Sequence, residues 1–136
     1  MAHSFCFDFS VWEMYGALLN GGRLIVPPLD QVRDINLFLL VIRRHRVTIL
    51  NQTPQAFYAL ADTESKCQEH TLNHHLRIII FGGDKLLPQN LSGWSDRYSP
   101  DRLQLVNMYG ITETTVHVTY YHLKATDIRS LYESVP

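Results

Sequence analysis

Apolar residues along this chain form short compact runs that alternate with stretches of helical spacing. Asp8 to Leu19 reads as a helix, with Phe9, Trp12 and Met14 to Leu18 supplying apolar positions and Asn20–Gly21–Gly22 stopping it. Arg23 to Val26 reads as a short strand closed by Pro27–Pro28. Asp30 is placed to cap a helix running to about Arg44, with Ile35, Leu39 and Ile42 on one face. Val47 to Leu50 is a β-branched strand, and Pro54 opens a helix to about Asp62, a favoured place for proline. Thr63 to His75 is polar and reads as a loop. Leu76 to Phe81 is the strongest strand pattern in the chain and ends at Gly82–Gly83. A weaker helix over Leu87 to Tyr98 follows, then strands over Leu103 to Asn107 and Val116 to Tyr121.

Strand–helix alternation predicts an α/β fold: a mostly parallel sheet flanked by helices. In such sheets ligands sit beyond the carboxyl ends of the strands. That rule picks out Asn51, then Gly82–Gly83–Asp84, then Asn107–Met108–Tyr109–Gly110.

Three segments carry candidate chemistry. In Asn107–Met108–Tyr109–Gly110–Ile111–Thr112–Glu113–Thr114–Thr115 a strand runs into a glycine-bearing turn rich in hydroxyls, with one carboxylate. Its tyrosine ring suits a flat base, its amides and the Thr112 hydroxyl suit phosphate oxygens, and Glu113 suits magnesium. An ordinary loop with Thr112 as a helix cap explains the same pattern. Phe81–Gly82–Gly83–Asp84–Lys85 lets a ligand approach the backbone closely, but a plain turn explains it equally. In Phe7–Asp8–Phe9–Ser10–Val11–Trp12–Glu13 the aspartate is either a helix N-cap or a buried carboxylate that needs a cationic partner.

Composition narrows the classes. The chain has 136 residues, 46% hydrophobic and 18% charged, with a net charge of −1. That is at most one globular domain, and nothing in it favours nucleic acid or an anionic membrane. Arg43, Arg44, His45 and Arg46 read as the positive end of a helix. The longest apolar run, Leu37 to Ile42, is too short to span a bilayer. Cys6 and Cys67 form no CxxC motif, which fits a reduced, cytoplasmic compartment. His74–His75 are adjacent rather than at helical ligand spacing, and His117 and His122 lack a nearby ligand set, so a structural metal site is not expected. No GxSxG elbow points to a hydrolase. A dense motif lies almost at the start and the chain stops at Ser134–Val135–Pro136 with no capping element, so it is expected to be an internal piece of a longer protein.

Taken in this order, the segment Phe7–Glu13, then Thr48 to Pro54, Leu76 to Asp84 and Asn107 to Thr115 resemble the adenylation domains of non-ribosomal peptide synthetases. The resemblance runs from about Ser4 to Val135. It implies that residues 1–136 form a single piece of the AMP-binding core, within the large N-terminal subdomain, and that the small C-terminal subdomain is absent. It implies activation of an amino acid with ATP and Mg2+ to an aminoacyl adenylate, then transfer to the phosphopantetheine thiol of a carrier domain. Peptidyl carrier and condensation domains would be its partners.

By the same resemblance Asp8 grips the substrate α-ammonium. The side-chain pocket maps onto Asp8, Phe9, Trp12, Asn51, Ile80, Gly82, Met108, Val116 and His117, a combination similar to that of threonine-activating members. Gly82, Gly83, Asp84, Asn107, Tyr109, Gly110 and Thr112 would contact the nucleotide. Thr112 and Glu113 would serve catalysis, with Glu113 holding magnesium. Ile111 departs from the family, which has proline there, and a stiffened turn is lost with it. The family's phosphate loop would lie upstream of Met1, and its ribose-binding aspartate and catalytic lysine downstream of Pro136. The piece alone is therefore expected to be inactive and to expose sheet edges and apolar faces. Two other readings compete: a related acyl-CoA or aryl-acid ligase, and a non-catalytic binding or scaffold remnant.

Overall fold

The computed structural model describes residues 1–67, 75–99, 102–114 and 116–129. Most of the expected polar loop (68–74, with His74), Thr115 and the stretch to Pro136 lie outside them.

Helix α1 spans Phe9–Leu18. It ends as the glycine pair predicts: Gly21 takes φ +71° and Gly22 N–H donates to Ala17 O at 2.8 Å, closing the last turn. Arg23–Val26 pairs with no strand among the described residues, against expectation. A short apolar run predicts burial, but it needs a neighbour to make a ladder.

The single helix expected from Asp30 to Arg44 is two helices, α2 (Leu29–Arg33) and α3 (Ile35–Arg44). Asp34 breaks them. It sits in extended conformation, and its side chain accepts from Asn36 N–H at 2.9 Å and Leu37 N–H at 3.1 Å. A carboxylate that captures free first-turn amides gains more as a cap than as a helix interior residue.

Strand β1 is Ile49–Gln52 and helix α4 is Pro54–Ser65, with Thr53 as N-cap. Strand β2 is Ile78–Phe81. The expected helix from Leu87 divides into a 3-10 turn at Pro88–Leu91 and α5 at Ser92–Arg97. Strand β3 is Gln104–Tyr109, and a 3-10 turn at Thr112–Thr114 leads to β4 at Thr119–His122. Helix α6 is Ala125–Arg129.

The strands lie in the order β1-β2-β3-β4, the first three parallel and β4 antiparallel to β3. Asn51 pairs with Ile80, and Ile80 with Val106. Because side chains alternate along a strand, this register sorts the sheet into two faces. Leu50, Ile79, Phe81 and Leu105 point into the main core, against Phe57 of α4 and Trp94 of α5. Ile80, Val106 and Met108 point the other way, with Trp12 of α1 packed on them.

One polar cluster is built into the main core. Glu64, at the end of α4, is fully buried. It accepts a short hydrogen bond from the Tyr98 hydroxyl, and Arg97 Nη2 stands 3.3 Å from its other oxygen. Burial and the adjoining carboxylate raise the Tyr98 pKa, so the phenol keeps its proton and donates. Arg97 also donates to Gly93 O at 2.7 Å and Ala61 O at 3.2 Å, tying α4 to α5. Removing the carboxylate strands a buried hydroxyl and a half-buried guanidinium. Glu64→Ala is expected to lower unfolding stability by about 3 kcal/mol, read as a reduced urea midpoint with unchanged slope.

Candidate functional site

The sheet register places Asn51, Ile80, Gly82 and Met108 on the α1 side, at the carboxyl ends of adjacent strands. Helix α1 brings Asp8, Phe9 and Trp12 over them. The return from β3 to β4 brings His117. These residues meet around the His117 imidazole. Phe9 lies edge-on to it at 5.1 Å between centroids and Trp12 at 5.4 Å. A Cβ added to Gly82 would come within 3.0 Å of His117 Nε2, 3.4 Å of Phe9 Cζ and 3.5 Å of Met108 O. Gly82 is thus the floor that lets the ring in.

Asp8 occupies the N-cap position of α1, but its side chain makes no cap hydrogen bond. The N-cap alternative therefore fails; the carboxylate is half-buried rather than buried, and its charge reaches His117. Burial lowers the His117 pKa and the Asp8 charge partly restores it. His117 Nδ1 is buried without a hydrogen-bond partner among the described residues.

Trp12 Nε1 donates to Asn51 Oδ1 at 3.1 Å. An indole N–H only donates, so this bond fixes which way the Asn51 amide faces. The carbonyl is turned to Trp12 and the amide nitrogen, a pure donor, to the other side. Trp12, Asn51 and Ile80 also line one end of a cleft of about 640 Å³ that runs between α1, α3 and β1.

Val116 enters through its backbone. It is a β-branched residue at φ +72°, an unfavoured conformation. A Cβ on Gly110 would stand 2.1 Å from Val116 O and 2.6 Å from His117 Cα. The chain therefore folds back directly onto the Gly110 backbone, and that contact aims His117 at Gly82. The expected strand start at Val116 is displaced to Thr119 because residues 116–118 are spent on this return. Val118 N–H closes it by donating to Tyr109 O at 2.8 Å.

The residues expected at the nucleotide share one edge but not one environment. Gly83 is exposed at φ +81° and Asp84 is exposed, both just past β2. Tyr109 is 60% exposed at the end of β3, and Thr112 and Glu113 are exposed on the turn after it. Asn107 differs. It pairs with Phe81 in the register, so its side chain belongs to the main-core side; it is buried and partnered within the chain. With Ile111 in place of proline, the turn is closed by Thr114, whose hydroxyl donates to Ile111 O at 2.9 Å and accepts from Ile111 N–H at 3.2 Å.

Sequence reasoning missed Glu13 and His3. Glu13 is 6% exposed and accepts from the backbone N–H groups of Ala2 at 3.1 Å and His3 at 3.2 Å. An apolar-face position on α1 would have flagged Glu13 as a carboxylate needing partners, but backbone amides leave no trace in sequence. Among the described residues no group of three or more His, Cys, Asp or Glu is placed to hold a metal, and no helix is long and apolar enough to cross a membrane. Cys6 and Cys67 are both free thiols.

Known proteins share this chain's sequence pattern and fold. The model of the AMP-binding enzyme family matches residues 1–135. A plipastatin synthase from Bacillus subtilis is 52% identical over 126 residues, covering 93% of this chain and 5% of that protein. The Vibrio cholerae adenylation domain AlmE, solved with glycyl-adenosine-5′-phosphate, is 29% identical with a TM-score of 0.76, covering 99% of this chain and 24% of that one. The protein PA1221, solved with adenylation and PCP domains, is 28% identical with a TM-score of 0.78, covering 98% of this chain and 25% of that one. The chain thus spans a small part of each relative. Its α/β fold, a mostly parallel four-stranded sheet flanked by helices, is that of the N-terminal subdomain of adenylate-forming enzymes.

Two measurements check the site. Gly110→Ala has no room for its methyl against the Val116 carbonyl, and the loss of stability should reach at least the upper part of the overpacking range of about 1–3 kcal/mol, read by urea unfolding. In a histidine NMR titration His117 should take its proton below the ordinary value of 6.5, and Asp8→Asn should lower that midpoint further.

Proposed function

This chain belongs to the AMP-binding enzyme family, and from that premise we propose that it carries the amino-acid pocket of a non-ribosomal peptide synthetase adenylation domain whose substrate is L-threonine. The carrying observation is the cluster of Asp8, Phe9, Trp12, Asn51, Gly82 and His117 on the α1 face of the sheet. The names of the relatives support the reading, as does the aminoacyl adenylate held by AlmE. The parent would join the amino-acid carboxylate to the AMP moiety of ATP with release of pyrophosphate, then pass the acyl group to a phosphopantetheine thiol with release of AMP. PA1221 pairs adenylation with PCP domains, which supports a carrier domain as partner. We place residues 1–136 within the AMP-binding core of that parent, with activity dependent on segments outside it.

Each residue has a physical task in this reading. Asp8, not consumed by the helix, supplies the anion that an α-ammonium needs on leaving water. Phe9, Trp12, Ile80 and Met108 form an apolar wall suited to a methyl group, with Val116 beside it. The Asn51 amide nitrogen donates to the threonine hydroxyl, and His117, neutral near pH 7, accepts from it. A site built to pair a hydroxyl rejects an analogue lacking one, because its own groups are left unpaired. Tyr109, with its ring exposed at the end of β3, would stack on the adenine. Gly82, Gly83 and Asp84 would flank that base, and Gly110 and Thr112 would complete the nucleotide side.

Glu113 and the Thr112 hydroxyl are hard oxygen donors side by side on an open turn. That donor set fits magnesium, which is commonly held by one or two carboxylates and completed by phosphate oxygens and water. When bound, the ion would neutralise phosphate charge.

Amino-acid-dependent pyrophosphate exchange by the full-length parent tests the reading. Threonine should lead. Serine should trail by roughly tenfold or more, since one methyl is worth about 1–3 kcal/mol. Valine or an aromatic acid outperforming threonine would reject the pocket assignment. Asp8→Ala should cost at least about a hundredfold in kcat/KM, the scale of an unpaired buried charge, whereas an acyl-CoA or aryl-acid ligase would tolerate it. Protonated His117 would set a second cation beside the substrate ammonium. The KM for threonine should therefore rise as pH falls below 6.5, and His117→Gln should flatten that rise.

A further inference from the structure

Glu13 is a buried carboxylate outside the cluster around His117, on the wall of the adjoining cleft. It is 6% exposed and lies on α1 one residue after Trp12. Its two oxygens are divided between two backbone donors. Oε1 accepts from Ala2 N–H at 3.1 Å and Oε2 from His3 N–H at 3.2 Å. The His3 ring nitrogen Nδ1 also stands 3.2 Å from Oε2. Both carboxylate oxygens are thus committed to seating residues 2 and 3 on the helix.

The consequence is felt at the pocket wall. With its backbone held, the His3 ring packs on Phe9 at 4.1 Å between centroids, tilted by 54°. Phe9 in turn stands edge-on to His117 at 5.1 Å. Phe9 is 7% exposed, so it has pocket on one side and His3 on the other. A close-packed aromatic keeps its position only while both sides are filled.

We propose that Glu13 and His3 are positioning residues for side-chain selectivity: the Glu13 carboxylate clamps the backbone of residues 2 and 3 onto α1, so that the His3 ring backs Phe9 and holds it against His117. Neither residue touches the amino acid. They set the size of the pocket by denying Phe9 room to retreat. This rests on the amino-acid-pocket reading above.

The test uses His3→Ala, His3→Phe and Glu13→Gln. The His3 side chain is only 16% exposed but lies outside the main core cluster, so its truncation leaves that core intact. In pyrophosphate exchange by the parent, His3→Ala should shift the leucine-to-threonine ratio of kcat/KM upward by roughly tenfold or more, the scale of methylene-sized space in a pocket. The KM for ATP should stay unchanged, and His3→Phe should restore the ratio. Glu13→Gln, with an amide donor facing a backbone N–H, should move the ratio in the same direction as His3→Ala. A merely structural role would lower all rates together and leave the ratio alone, which overturns the proposal. A second readout needs no turnover. In the chain itself, His3→Ala should move the His117 ring-proton resonances as Phe9 withdraws, and His3→Phe should return them. Unmoved His117 resonances overturn the proposal on their own. If the wild-type parent shows no amino-acid-dependent exchange, the amino-acid-pocket reading fails, and the resonances still decide whether the clamp exists.

Discussion

The site depends on the parallel register that sets Asn51 beside Ile80 and Ile80 beside Val106. Side chains alternate along each strand, so this register decides which residues share a face. A slip of one residue in β2 would turn Phe81 toward α1 and send Ile80 and Gly82 into the main core. The floor for His117 and the apolar bed for Trp12 would vanish together. The register is held from the opposite side, where Ile79, Phe81 and Leu105 are 0–1% exposed and Phe57 packs edge-on to Phe81 at 5.1 Å. The main core thus fixes the pocket without lining it.

On that bed the two sides of the site are held in different ways. The α1 side uses hydrogen bonds, from Trp12 to Asn51 and from the backbone of residues 2 and 3 to Glu13. The β3–β4 side uses close backbone contact, the Val116 carbonyl against Gly110, with Val116 held at positive φ. A valine in that conformation costs of order 1–3 kcal/mol. The cost is tolerated because the return it permits is the one that points His117 at Gly82. The edge proposed for the nucleotide is looser. Tyr109, Thr112 and Glu113 are exposed on a short turn closed by the Thr114 hydroxyl.

Much of the fold was legible because its determinants are local. Gly21–Gly22 stopping α1, Pro54 opening α4 and the run ending at Phe81 each act within a few residues. Failures came where a local pattern admits two outcomes. Asp30 and Asp34 both look like caps, and only Asp34 captures free amides. Arg23–Val26 has a strand's composition and no partner among the described residues. The pocket set rests on motif resemblance, and the strand period explains why most of its sheet residues share one face. Asn107 sits one residue from Met108 on β3, and alternation alone puts it on the opposite face. Glu13 and His3 could not be read, since the amides that satisfy Glu13 belong to the backbone, which every residue carries.

Asp8 shows how one negative result at the local level becomes the central positive one at the site. A carboxylate at an N-cap position ordinarily satisfies an amide of its own helix. Here the backbone of Asp8 is itself helical, at φ −58° and ψ −26°, and no cap bond forms. The cap position in α1 therefore offers no competition for the charge. The same carboxylate raises the His117 pKa against burial, so its field reaches the ring that Phe9, Trp12 and Gly82 enclose. On the proposed reading, an anion left uncommitted by its helix, beside a neutral imidazole and an apolar wall, suits a small zwitterion carrying a methyl and a hydroxyl. Its ammonium would complete Asp8, its hydroxyl would meet Asn51 and His117, and its methyl would meet the wall. An apolar ligand leaves Asp8 unsatisfied, and a plain cation leaves Asn51 and His117 so.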